Sequence, residues 1–188
     1  EKLSQDKISK ELVLLIFPEL KNLSIFSKLD RVKKAILKDD DFIFLLSLII
    51  IDRTDNADYF IFRFNISKKE EKRIKNINNF FLEKITPKTF SEKNLNKTFF
   101  YLGKQAVMDI LNFRIINSKK IDKSLLELIK HFQNKPTPVM PVGASLLMTK
   151  YKIPEGKKLG VKLKMIEEEW VGNNFKISDK QIVNIIKD

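Results

Sequence analysis

The chain has no cysteine, one histidine and one tryptophan among its 188 residues, with only five glycines and six prolines. Without thiols, disulfides and thiolate metal sites are excluded. A single imidazole, His131, excludes histidine clusters, and its place beside Phe132 at the end of an amphipathic stretch is ordinary for a polar residue near a helix terminus. So little Gly and Pro leaves few turns for a many-stranded sheet. Long apolar runs are missing too. The longest, from Phe42 to Ile51, falls well short of the roughly 20 residues that span a bilayer. There is no Gly-rich phosphate loop ending in Lys-Ser/Thr, no nucleophile elbow and no paired carboxylates, so no catalytic residue is assigned. No signal-peptide pattern opens the chain. It begins with Glu rather than Met, which reads as a segment or processed product of a longer chain, and a cytoplasmic location is expected.

What is present in excess is positive charge. Lys and Arg number 36 against 24 Asp and Glu, a net charge of +12, while 43% of the residues are hydrophobic, enough for a folded core. A lysine-rich surface serves solubility, or follows from a base-composition bias that also raises Ile, Asn and Phe. A polyanion partner accounts for the charge more economically, through release of condensed counterions. An anionic membrane surface is the third option.

Periodicity predicts an all-α chain: an elongated array of short helices and a small helical tail after a Pro-rich linker. Ser4 precedes a stripe of Ile8, Leu12, Leu15 and Ile16 that Pro18 ends. Leu29, Val32 and Ile36 form a second stripe, and the acidic turn Asp39-Asp40-Asp41 can cap the next helix, an apolar segment over 42–51 that reads as buried. Ser67 and Glu70 make a capping box for a helix running to Phe81, and Ser91 caps another. Gly103 marks a break before the apolar positions Ala106, Val107, Ile110 and Leu111, and an amphipathic helix follows over 121–132. Pro136, Pro138 and Pro141 cannot continue a helix, which divides the chain into a neck and body over 1–134 and a tail over 135–188. In the tail we expect helices over about 144–150 and 157–171, and a last one capped by Ser178 and Gln181.

Acidic clusters give no metal site. The Asp39-Asp40-Asp41 turn reads as a cap. Asp52, Asp55 and Asp58 lack the alternate spacing, central Gly and distant Glu of a calcium loop. Glu167, Glu168 and Glu169 are consecutive, so they splay around a helix. Two basic features remain. Lys68, Lys69, Lys72 and Arg73, with Lys75 and the preceding Arg63, crowd the start of one predicted helix and are candidate RNA contacts. In the tail, Pro154-Glu155-Gly156-Lys157-Lys158 forms a tight turn into a helix start, where backbone N–H groups and the positive end of the dipole favour an oxyanion. Gly156, Lys157 and Lys158 are therefore candidate RNA contacts, and Gly160 is expected to permit close helix packing.

Residues 143–175 resemble the C-terminal tail of bacterial tRNA nucleotidyltransferases, the CCA-adding enzymes and their poly(A) polymerase relatives. Gly143, Leu146, Pro154, Gly156, Gly160, Leu163, Trp170 and Phe175 carry the likeness. Upstream, Ser4 to Leu12 looks like the start of that family's neck, Ile66-Ser67 with Glu70 like a helix start of its body, and Leu102-Gly103 with Ala106 like the next helix pair. Departures are local: Asp6-Lys7 stands where Glu-Arg is usual, and Glu155 and Lys157 replace prolines beside Gly156. The resemblance implies a neck, body and tail that hold the acceptor and T-arm region of a tRNA, by shape and backbone as suits A-form RNA. It also implies that CMP and AMP transfer from CTP and ATP with Mg²⁺ belongs to an N-terminal head whose paired aspartates are not in this sequence. For these residues we expect tRNA as partner, no cofactor, no membrane and no small-molecule substrate. The competing expectation is a stand-alone nucleic-acid-binding protein of the helix-hairpin-helix kind.

Overall fold

A computed structural model describes residues 7–38 and 41–187, and every regular element among them is helical. In chain order the α-helices are α1 (Lys7–Ile16), α2 (Arg31–Leu37), α3 (Phe42–Ile50), α4 (Asn56–Phe64), α5 (Lys68–Leu82), α6 (Glu92–Leu102), α7 (Lys104–Asn117), α8 (Lys123–Asn134), α9 (Ala144–Tyr151), α10 (Lys157–Gly172) and α11 (Asp179–Lys187). Short 3-10 turns lie at Leu23–Lys28 and Pro87–Phe90. None of these helices is long and apolar enough to cross a membrane.

Side-chain caps set many of the starts. Asp30 accepts from the Lys33 N–H, Asp41 from Phe44, Ser67 from Glu70 and Ser91 from Asn94. At α11 the Ser178 N–H donates to Gln181 Oε1 at 2.9 Å while Gln181 N–H returns to Ser178 Oγ at 3.3 Å, a reciprocal capping box. Gly103, at φ +88°, ends α6 and lets α7 start one residue later. Ser4, Asp39 and Asp40 lie outside the described residues.

Two compact units emerge. The first holds the chain up to Thr86 together with Gln105–Asn134; the second holds Pro87–Lys104 and the chain from Lys135 onward. The break at 134/135 falls beside the Pro-rich segment, but residues 87–104 group with the tail rather than with the rest of 1–134.

In the first unit α3, α4 and α5 pack mutually, with Phe44, Leu48, Ile50, Ile74 and Ile77 sealed from solvent. Nearly complete apolar character makes α3 a central helix, although Phe42 at its start is 71% exposed. Helix α4 is an addition to the sequence-based expectation. Asp52 and Thr54 close a turn before it, Asn56 is buried and donates to the carbonyls of Glu19 and Ile50, and Asn65 ends it in the left-handed region. The apolar stripe of α1 faces outward instead of into a core, and the helix has no buried residue.

The second unit has its own core. Val142, Leu147, Ile153, Leu159, Ile166 and Ile182 form one cluster joining α9, α10 and α11. Trp170 is buried against the edge of Phe100, centroids 5.3 Å apart, and Phe175 is tilted against it at 5.0 Å and lies 6.3 Å from Phe100, so the three rings form one cluster. Lys162 also turns inward and donates to the Ile185 carbonyl at 2.7 Å, satisfying a group near the end of α11.

Candidate nucleic-acid interface

The basic start of α5 divides into free and committed cations. Ser67 Oγ caps the helix and donates to Glu70 Oε2 at 2.5 Å, so the box is closed through side chains. One turn on, Glu71 accepts from Lys75 at 2.8 Å and from Lys68 at 2.9 Å. Those two bonds, Lys75 first, pull the Glu71 carboxyl down to about 2. Lys75 also stands 3.9 Å from Asp58. Lys68 keeps its ammonium largely in solvent while sharing Glu71.

Arg73 is not a surface cation, contrary to its assignment as an RNA contact. Its Nε and Nη2 reach the two oxygens of Asp109 at 2.7 and 2.9 Å, and its Nη1 is bonded to Asp41. Asp109 is 1% exposed and accepts from Gln105 as well. The pairing raises the Arg73 pKa further. Burial works to raise the Asp41 carboxyl, but hydrogen bonds from Arg73 and the Phe44 N–H carry it below its usual range. The guanidinium therefore locks α5 to α7 and to the cap of α3. Lys69 and Lys72, three residues apart on the exposed side of α5, are tied to no carboxylate among the described residues.

The tail turn is built differently. Lys152 closes α9 in the left-handed region at φ 56°, and the buried Ile153 donates its N–H back to the Leu147 carbonyl at 3.3 Å. Gly156 then takes φ 140° and ψ −167°, a conformation essentially reserved for glycine, and caps α10 without any side-chain bond. The first N–H groups of a 16-residue helix are thus left unshielded beside exposed Lys157 and Lys158. A Cβ at Gly156 would meet nothing within 4 Å, so the requirement there is the backbone angle. Gly160 is corrected on the same ground: it is exposed and no neighbour approaches it, so close helix packing is not its role. Glu155 is exposed beside the turn.

The two basic features lie in different units, Lys69 and Lys72 in the first and Gly156, Lys157 and Lys158 in the second. No group of three acidic or histidine side chains able to hold a metal occurs among the described residues. Asp52 is taken up by Lys21 and Thr54, and Glu169 by Asn173 and Gln181. One cation escaped notice in the sequence. Lys33 is 7% exposed whereas Val32, expected inward, is 44% exposed. Spacing alone does not choose between them, since Val32 and Lys33 stand four and three residues from Ile36 on α2 and either can share its face.

Compared with protein-family models, with curated proteins and with solved structures, the chain matches none of them.

Proposed function

We propose that this chain is the tRNA-binding part, neck, body and tail, of a nucleotidyltransferase of the CCA-adding or poly(A) polymerase type. It would hold the acceptor and T-arm region while a catalytic head adds CMP or AMP to the 3′ end. The observation that carries this is the tail turn. A glycine-only conformation at Gly156 opens an uncapped helix start beside exposed Lys157 and Lys158, and Pro154, Gly156 and Gly160 belong to the family likeness while Glu155 and Lys157 depart from it. Such a start offers N–H donors and positive dipole to a phosphate oxygen, with two ammonium groups adding charge. A net charge of +12 supplies the long-range attraction. Lys69 and Lys72 provide a second patch that touches backbone rather than bases, as A-form RNA requires. Mg²⁺, CTP and ATP belong to the head in this scheme, and the segment acts by grip.

Direct binding tests it. The chain should bind tRNA with an affinity that falls steeply as salt rises, and bind a duplex DNA of equal length more weakly at matched salt. Equal affinity for the two, or binding to anionic vesicles as strong as to tRNA, would remove the tRNA assignment.

A further inference from the structure

The first unit contains a cavity of about 480 Å³ between the Leu23–Lys28 turn, the start of α2 and the end of α7. Its size is that of a small-ligand site. Lys28, Lys33 and Lys119 line it and no carboxylate does. Lys33 is the telling member. It is 7% exposed, and its ammonium donates to the Ser118 carbonyl at 2.5 Å, just beyond the last turn of α7. That bond satisfies a helix-end carbonyl but uses one of three ammonium hydrogens. No carboxylate pairs with Lys28, Lys33 or Lys119 among the described residues. Asp30, the nearest acid in sequence, accepts the Lys33 backbone N–H instead. Three lysines thus line one hollow without a carboxylate, and a buried ammonium with a single neutral partner is costly unless an anion enters beside it.

The rest of the lining narrows the ligand. Ser24 adds a hydroxyl whose hydrogen goes to no protein group among the described residues. Ile25, Leu29 and Ile116 supply an apolar side. A bare tetrahedral anion would fill little of this volume, given the roughly 30 Å³ share of one water molecule. We propose that the cavity binds a phosphate ester of about nucleotide size, its phosphate among Lys28, Lys33, Lys119 and Ser24 and its carbon portion on Ile25, Leu29 and Ile116. The ester is either a free nucleoside monophosphate or one nucleotide of an RNA strand. Its chemistry is common to both, and the site does not depend on the tail turn or on the tRNA assignment.

The test uses the whole chain, with 5′-AMP, inorganic phosphate and tRNA as probes. Amide NMR shifts should saturate with AMP at Ser24, Lys33 and Ser118, and inorganic phosphate should shift the same signals at higher concentration. Lys33→Met is the obvious variant, but it breaks the bond to Ser118 and can unfold the region. Lys28→Glu with Lys119→Glu avoids this because both side chains are exposed, and it should weaken AMP about tenfold or more at unchanged melting temperature. If AMP shifts nothing but the double variant weakens tRNA more than Lys176→Glu with Lys180→Glu does, the occupant is an RNA nucleotide. AMP binding by a chain that ignores tRNA would leave the pocket standing and remove the proposed function. No AMP shift, together with tRNA affinity indifferent to Lys28 and Lys119, overturns the site.

Discussion

Arg73 and Asp109 form a two-bond guanidinium–carboxylate pair, 2.7 and 2.9 Å, across 36 residues of sequence, and the acid is almost wholly buried. Removing one partner strands the other charge. Arg73→Ala should therefore cost about 3–5 kcal/mol of stability. Replacing both by apolar residues of similar volume should cost much less, because the desolvation of the two charges disappears with them. Chemical denaturation of the single and double variants checks this. A single variant as stable as the wild type would mean that Arg73 is held only loosely.

Acid should act partly through Glu71. Its folded-state carboxyl is drawn from an ordinary 4.5 to about 2 by Lys75 and Lys68. A depressed acid contributes stability that is complete above about pH 4.5 and lost as pH falls through about 2. Melting temperatures of wild type and Glu71→Gln, measured from about pH 7 to about pH 2, should differ at the upper end and converge at the lower. Lys68 is exposed and Lys75 is half-exposed, so added salt should shrink the difference. A gap that stays constant with pH would show that the pairing does not persist in solution.

Trp170 reports on the tail core. It is 2% exposed and ringed by Phe100 and Phe175. Trp170→Ala should cost roughly 3–5 kcal/mol, since the cavity lies among residues of three chain segments and cannot easily collapse. As the only tryptophan, it should also emit at short wavelength and resist iodide quenching in the native chain. Red-shifted, readily quenched emission would contradict its burial.

Helix limits were legible wherever a cap and a period agreed. The expected tail helices over 144–150 and 157–171 became Ala144–Tyr151 and Lys157–Gly172. Helix α4 carries little signal in the sequence because Asp58 and Arg63 interrupt its apolar residues, and its buried Asn56 looks polar. Rotation was harder to read than existence. One step around α2 exchanged Val32 for Lys33, and only packing against Ser118 decides which turns in. The role of Arg73 was out of reach for another reason: Asp41 and Asp109 lie 32 and 36 residues away, and no local period encodes such a pair. The turn at Gly156 was legible because Pro154 and Gly156 interrupt a helical pattern, whereas its backbone angle, which only glycine accepts, appears only in the structure.

That angle makes its own prediction. Gly156 sits at φ 140° with open space around its Cα, so Gly156→Ala adds strain and no clash. A cost of about 1–3 kcal/mol is expected from the conformation alone. Gly160→Ala, in a helix with equal room, should instead be neutral or stabilising by up to about 1 kcal/mol. Equal effects at the two glycines would mean that the chain relaxes out of the left-handed region.

The decisive comparison sets lysines against lysines. If the tail turn grips phosphate, Lys157→Glu with Lys158→Glu should weaken tRNA binding more than Lys176→Glu with Lys180→Glu, although each pair changes net charge equally. All four side chains are exposed, so folding should not separate the pairs. Neutral replacement separates contact from field. Lys69→Ala with Lys72→Ala should lower the slope of log affinity against log salt by up to about one per lost phosphate contact. Lys68→Ala should do less, because its ammonium is shared with Glu71. Arg73→Ala must be kept out of the set, since its loss destabilises the first unit and would imitate a binding defect. Should both charge reversals weaken tRNA to the same degree, only the overall field attracts RNA, and the Gly156 turn is a structural corner without a ligand.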